Sequence, residues 1–501
     1  MARGDMPVLV GVGQALSRWD GTVGAAGAPS PLGLAADASK AALADSGLAG
    51  DAVDTVAFVR TFEDSTPSSH PHGKNDNLPG TLAREIGAAP RTVIYSAVGG
   101  QTPQQLVNEF AARIHDGDME VALIAGSEAN KASKAARKHG VEIDWTDTAN
   151  IAFEDRGLGD MMLNRQEIKH GLVSPAYFYA FFENAIAARE GRSRSEHRAA
   201  MSRLWAKFAA VAETNSYSQF PEPKSAEFLA TPSKANYAIA DPFLKWHVAQ
   251  DAVNQGAAVV MMSDAKADEL GIAKDKRVYP HGGGEAGEGM LSERAVLDGS
   301  WAMETALNRA LDKAGRDATD MAVFDLYSCF PCAVFSSTQA LGIDPETETR
   351  PLTVTGGLPF FGGPGNNYSL HGIASMAERL RAAPGDFGLV LANGGWMTKE
   401  AAGVYSTRRP ETFTATDPIA KEGPTVELMT QGNAGTLESF TVIHGRSGPA
   451  AGVAFIRKSD GARFIAKADD AALGRLREEE SPVGATVTST HADEVNTFSF
   501  A

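Results

Sequence analysis

The feature that most restricts the fold is a repeat inside the chain. Residues 310–326, ALDKAGRDATDMAVFDL, match 42–59, ALADSGLAGDAVDTVAFV, in order and spacing: an alanine-rich helix end, a glycine stop, a polar link and a buried strand. Further on, 373–399, IASMAERLRAAPGDFGLVLANGGWMTK, matches 106–131, LVNEFAARIHDGDMEVALIAGSEANK. Internal repeats decide architecture before any single element does. Two copies of a strand–helix unit imply two similar α/β halves related by a pseudo-twofold axis. Each copy carries a glycine loop, at 99–101 and at 362–365, and each loop opens a helix, so two helix N-termini converge near one central place.

The rest of the chain fits around that repeat. Residues 7–14 read as a buried strand, 31–47 as a helix with a glycine stop, 53–59 as a strand and 60–90 as a polar connection. The stretch 91–97 is a strand running into a glycine turn and an amphipathic helix, and VALIAGSEANK is a further buried strand. Residues 130–240 are more helical and polar, an insertion suited to a lid or a ligand-contacting subdomain. The strand at 256–263 closes the first half. The expected domains are 1–270 with that insertion, 271–410 as the second half, and 411–501 as an addition. In the addition, 435–456, ARFIAKA, ATVTSTH and VNTFSF are short alternating strands, read as a small antiparallel β-barrel resembling oligonucleotide/oligosaccharide-binding barrels.

Composition bounds the function. The 501 residues are 43% hydrophobic and 22% charged, with no run of about 18 apolar residues, so no membrane span and a cytoplasmic location are expected. A net charge of −16 argues against nucleic acid, which binds through clustered Lys and Arg, although one local basic patch suffices for a small anion. Two cysteines, Cys329 and Cys332 in CFPC, make no disulfide framework. Lying between a strand and a helix, they read mainly as buried small hydrophobes, with a relocated nucleophile or a redox pair as sharper alternatives. No metal site is expected: His70 and His72 have no further ligands nearby in sequence. Glu400 reads as a solvated charge.

The stretch 351–372, PLTVTGGLPFFGGPGNNYSLHG, reads as strand, glycine loop and helix, with backbone N–H groups able to face an anion or a carbonyl. Asn366 and Asn367 cap the helix or touch a ligand, and His371 sits one turn in. With YSAVGGQTPQQ, YSCF and ANGG, these motifs resemble the thiolase superfamily, its sterol-carrier-protein thiolase branch and, with the β-rich addition, the type 1 thiolase-like proteins. The resemblance implies a duplicated thiolase fold, layered α/β/α/β/α, followed by the β domain. It also implies acyl-CoA as ligand, no required cofactor, and either a homodimer through the core or a monomer.

Thiolase chemistry needs two cysteines, a histidine and oxyanion holes, and the corresponding positions differ here. The nucleophile position falls at Val98, Gly99 or Gly100. Tyr327 stands at the start of the loop that holds water or an oxyanion, Gly363 stands where the family has its histidine, and Asn393 stands in the loop of the acid/base thiol. Ordinary thiolysis is not expected. What the resemblance leaves is a ligand shell of Gly99, Gly100, Gln101, Gly363, Asn366, Asn367 and Asn393, with Tyr327, Cys329 and His371 as candidate catalytic groups. Two readings follow: non-thiolase acyl-CoA chemistry, such as aldol-type cleavage or acyl transfer, or a non-catalytic module for CoA ligands or protein partners.

Overall fold

The computed structural model describes residues 4–66, 69–159, 162–417, 421–445 and 448–501. The first half alternates β1 (Pro7–Leu16), α1 (Pro31–Ser46), β2 (Thr55–Val59), α2 (Leu78–Glu85), β3 (Thr92–Tyr95), α3 (Thr102–His115) and β4 (Val121–Glu128). The insertion carries α4 (Asn130–His139), β5 (Glu154–Asp155), α5 (Arg165–Lys169), α6 (Pro175–Arg189), α7 (Arg194–Thr214), α8 (Ala226–Ala230), β6 (Ala238–Ala240) and β7 (Phe243–Leu244); β8 (Gln255–Ser263) then returns to the core. The short α9 (Asp264–Glu269) follows β8 and ends the first half; the second half holds β9 (Tyr279–Gly287), α10 (Trp301–Ala314), β10 (Met321–Asp325), α11 (Pro331–Ala340), α12 (Tyr368–Ala382), β11 (Phe387–Gly394) and β12 (Lys399–Ser406).

The repeat is visible in the sheets. The first has order β1-β8-β4-β2-β3-β5 and the second β10-β11-β12-β9. Matching β2 with β10, β4 with β11, β8 with β12 and β1 with β9 gives the same order and the same parallel and antiparallel ladders in both. The same packing device recurs as well. A Cβ on Gly11 or Gly13 of β1 would lie 2.2 Å from a carbonyl oxygen of α1; on Gly282 or Gly284 of β9 it would lie 2.2 or 2.0 Å from one of α10. Glycines two apart on one strand face let each outer helix lie directly on its sheet.

Helices α3 and α12 lie between the two sheets, sharing one core of Leu106, Phe110, Ile114, Leu370, Ile373 and Leu380 with residues of both. The layers are therefore α/β/α/β/α, the expected thiolase-type arrangement. Two elements depart from expectation. The polar connection contains α2, begun by Asn77, whose side chain accepts from Gly80 N, and by a proline in the first turn. No regular strand forms at 351–355. Pro351 and Leu352 accept from the N–H groups of Phe324 and Leu326 at 2.9 and 3.0 Å. Asp325 then draws Thr353 Oγ1 and Val354 N onto its Oδ1, both at 2.9 Å, in place of a ladder.

The addition comprises β13 (Leu428–Met429), β14 (Ala434–Gly445), β15 (Gly448–Arg457), β16 (Arg463–Ala468), α13 (Asp470–Glu478), β17 (Thr486–Ala492) and β18 (Val495–Phe500). Its ladders run β14-β15-β16-β18-β17 and back to β14. They are not all antiparallel, because β16 pairs with β18 and with β13 in parallel. Nor is the sheet confined to the C-terminal residues: β6 of the insertion adds to β14 through Ala240 and Ile443. Among the described residues, no helix is long and apolar enough to cross a membrane.

Candidate active site

The two central helices begin alike. Gln101 and Asn367 occupy the N-cap positions of α3 and α12, and neither side chain caps its own helix. Each crosses to the other half. Gln101 Oε1 would be 1.9 Å from a Cβ on Gly394, and Asn367 Oδ1 would be 2.4 Å from one on Gly126. These two buried amides leave Gln101 Oε1 and both polar atoms of Asn367 without a partner among the described residues.

Above the start of α3 the backbone is tightly filled. Gly99 has φ 147°, and a Cβ on Gly100 would meet Asn393 O at 2.3 Å and the Tyr327 hydroxyl at 2.6 Å. Only glycine fits there. Of the three positions where a nucleophile would be expected, Gly99 and Gly100 are closed to a side chain by the Gln101 amide and the Tyr327 phenol, and Val98 is half-buried and aliphatic. Burial, with Cys329 nearby, raises the Tyr327 phenol well above its ordinary range.

Beside it lies a polar group held by β11, β12 and α6. Asn393 and Glu400 are cross-strand partners and point to one face of the second sheet. Asn393 Nδ2 donates to the Tyr179 hydroxyl at 3.0 Å and approaches Cys329 Sγ at 3.7 Å. The Tyr179 hydroxyl in turn donates to Gly395 O at 3.0 Å. Glu400 is fully buried, with no hydrogen-bond partner for either oxygen among the described residues. Burial, reinforced by Glu288 and opposed by Arg294, raises its carboxyl well above the ordinary range, so it is held as the neutral acid. The reading of Glu400 as a solvated charge is therefore corrected. The antiparallel turn from Asn393 to Glu400 places it inside, and only the apolar run AAGVY after it marked the strand as buried on both faces.

The cysteines are not activated. Burial pushes the Cys329 thiol up to about 12, and Cys332, whose N–H donates to Glu183 Oε2 at 2.8 Å, is raised as well. Their place at the start of α11 does not lower them, because loss of hydration outweighs the helix terminus. His371 is fully buried in α12, its Nδ1 donating to Gln14 Oε1 at 2.8 Å and its ring 5.1 Å from Phe361; burial drives it down to about 3, so it is neutral. An open cavity of about 430 Å³ lies on the Gln14 and Ser375 side of the molecule, and it is not lined by Tyr327, Cys329 or Glu400.

The glycine loop is largely engaged internally. Gly363 N donates to Gln250 O and Asn367 N to Pro364 O, both at 2.8 Å. Asn366 Nδ2 donates to Arg60 O and Ser65 Oγ, both at 2.9 Å. His72 packs on Trp145 at 5.1 Å, and His70 sits 3.7 Å from Asp64. Among the described residues no three His, Cys, Asp or Glu side chains group to hold a metal.

Along the loop's outer side, Gln219 N and Phe220 N donate to Phe361 O and Phe360 O at 2.7 and 3.1 Å, and a basic patch gathers there. Trp246, near-parallel to Phe360, carries Lys224 Nζ and Lys245 Nζ at 4.1 and 4.8 Å from its ring centre. Arg18 donates to Ser218 O at 2.9 Å. Burial and the facing Arg18 charge lower Lys131. Sequence reading had no signal for this patch, since its residues come from four separate segments.

Comparison with known proteins agrees with the layered core and the addition. A family model described as the thiolase-like protein type 1 additional C-terminal domain matches residues 419–494. The crystal structure of a monomeric SCP2-thiolase like protein type 1 from Mycobacterium smegmatis is 36% identical, with a TM-score of 0.81 over 100% of both chains. The Ltp2-ChsH2(DUF35) aldolase shares the fold at a TM-score of 0.59 and 19% identity, over 81% of this chain and 98% of that one. A probable acetyl-CoA acetyltransferase of Mycobacterium tuberculosis is 28% identical over 127 residues, 25% of this chain, which spans only 29% of that relative's length.

Proposed function

This chain belongs to the SCP2-thiolase-like proteins of type 1, and on that premise we propose that it binds an acyl-CoA thioester and does not carry out thiolysis. The observation that carries the reading is the start of α3. Gly99 and Gly100 have no room for a side chain against Gln101, Asn393 O and the Tyr327 hydroxyl, and Val98 is aliphatic, so none of the three candidate positions holds a nucleophile. The nearby thiol, pushed up to about 12, has almost no thiolate near neutral pH. The family's histidine position is Gly363, and His371 is neutral and bonded to Gln14. Any chemistry on the bound acyl group, aldol-type or acyl transfer, falls to oxygen acids, Tyr327 and Glu400, rather than to sulfur.

The patch around Trp246 supports a phosphate-rich ligand. In a chain of net charge −16, Lys224 and Lys245 lie over the Trp246 ring beside the glycine loop, with Glu222 paired to Lys224 at 3.8 Å, and the two ammonium groups on an aromatic face suit the phosphates and adenine of a CoA tail. The addition supports no nucleic-acid role. We read its ring of ladders, with α13 between the third and fourth strands, as an oligonucleotide-binding-type barrel. Its second and third strands, the usual ligand face of such barrels, turn Phe455 and Arg463 into the protein, against Phe181 and residues 292–294.

The test is a thermal-shift series with CoA, acetyl-CoA and longer acyl-CoAs, followed by intact-protein mass measurement. A ligand of the folded state at 100 times its Kd stabilises it by about 2.7 kcal/mol. The expected outcome is a saturable rise in Tm with acyl-CoA and no acyl adduct on the protein. An acylated cysteine, or ketoacyl-CoA consumed by added CoA, would refute the reading.

A further inference from the structure

Helix α6 is buried on every side, with Phe178 through Glu183 at most 2% exposed. One face forms the roof of the polar group. Phe178 stacks on Trp396 at 4.8 Å and Tyr179 on Phe330 at 4.2 Å, while the Tyr179 hydroxyl engages Gly395 O, Met397 N and Asn393 Nδ2. The other face meets the C-terminal domain. Phe181 stacks on Phe455 of β15 at 4.0 Å, Ser439 Oγ of β14 donates to Phe181 O at 2.6 Å, and Asn184 Nδ2 donates to Phe440 O at 2.9 Å.

Further bonds fasten the domain around the helix. Arg463 of β16 is fully buried and donates to Ser292 O and Arg294 O at 3.0 and 2.6 Å. At the start of α7, Arg194 donates to Arg477 O at 2.8 Å and to Glu479 O at 2.9 Å. Glycines in the left-handed region flank α6, Gly171 at φ 84° and Gly191 at φ 64°, and such backbone positions can absorb a rigid-body tilt of the helix.

We propose that the C-terminal domain is a clamp that holds α6 down over Tyr327, Cys329, Asn393 and Glu400, and that release of the domain from α6 is the step that opens this group to a ligand. The middle of α6 is buried all round, its one charged group, Glu183, tied to His197 Nε2 at 2.6 Å and to Cys332 N at 2.8 Å, and its aromatic residues need cover on both faces. The core supplies one cover and the barrel the other, so loosening the barrel contact frees α6 without disturbing the layered sheets. The proposal holds for any ligand of the buried group, acyl-CoA or not.

The chain's only two thiols report the opening. In the wild type, iodoacetamide alkylation of Cys329, located by tandem mass spectrometry, should be slow, since a buried site labels in proportion to its open population. Phe455→Ala, and the milder Ser439→Ala should the first fail to fold, should raise that rate, by at least about tenfold for Phe455→Ala. Leu43→Ala, a cavity in the outer α1 layer, serves as the control at matched global stability and should not. Amide exchange should show α6 losing protection while α3 and α12 keep theirs. Rapid Cys329 labelling in the wild type, or equal rates in the barrel variants and the Leu43→Ala control, would overturn the clamp.

Discussion

Glu400 is the residue whose state says most about the site. It keeps its proton in the folded protein at pH values where the unfolded chain has lost it. The folded state therefore binds more protons than the unfolded one above the ordinary carboxyl value of 4.5, and stability falls as pH rises toward the raised folded value. Glu400→Gln removes that slope. Denaturant midpoints should show the variant gaining on the wild type from about pH 5 to about pH 8, by at most about 1.4 kcal/mol per pH unit. A difference that stays flat over that range would mean Glu400 is ionised in the fold. The sequence hid this residue because a lone acid flanked by Lys399 resembles any surface turn; its burial depends on β12 lying between β11 and the distant β9, where Glu400 faces Asn393 on one side and Ala286 on the other. The burial of Cys329 and Cys332 was legible from their place between an apolar strand and a helix; that Asn393 and the Tyr179 hydroxyl gather beside Cys329 was not, since Tyr179 comes from the distant α6.

Among the elements, the repeated glycines make the sharpest claim. Gly284→Ala sets a methyl 2.0 Å from Ala306 O and Gly13→Ala sets one 2.2 Å from Ala38 O, so both variants must push a helix off its sheet. Each is expected to cost about 1–3 kcal/mol in chemical denaturation. Gly289→Ala, with nothing within 4 Å of its Cβ, should cost much less. Equal losses at all three would contradict close helix–sheet packing. The α/β alternation and the C-terminal strands were readable from periodicity and turn residues. The short α2 was missed although Asn77 and Pro79 announce it, because its apolar face is only two turns long. The sequence also did not reveal that Asp325 replaces a strand at 353–355 with side-chain bonds.

For the molecule as a whole, the free edge of the first sheet is already covered. Glu154 and Asp155 of β5, both exposed and acidic, pair in parallel with Ile94 and Tyr95 of β3. An edge closed by charged residues of the same chain discourages edge-to-edge association. Sedimentation equilibrium should give a monomer across micromolar concentrations; a stable dimer would mean that another face pairs. The two halves, the insertion helix and the C-terminal domain pack together: α3 and α12 lie between the two sheets, α6 roofs the polar group, and the C-terminal domain packs on the far face of α6 through Phe455, Ser439 and Phe440. The central claim is that this assembly binds acyl-CoA while lacking a thiolase nucleophile. Calorimetric titration of acyl-CoA into the wild type and into the Lys224→Glu/Lys245→Glu variant tests it most directly. Saturable one-to-one binding in the wild type, with neither cysteine acylated, and weakened at least about tenfold in the variant, is the predicted result; no heat with any acyl-CoA, or an acyl group found on Cys329 or Cys332 after the titration, would contradict it.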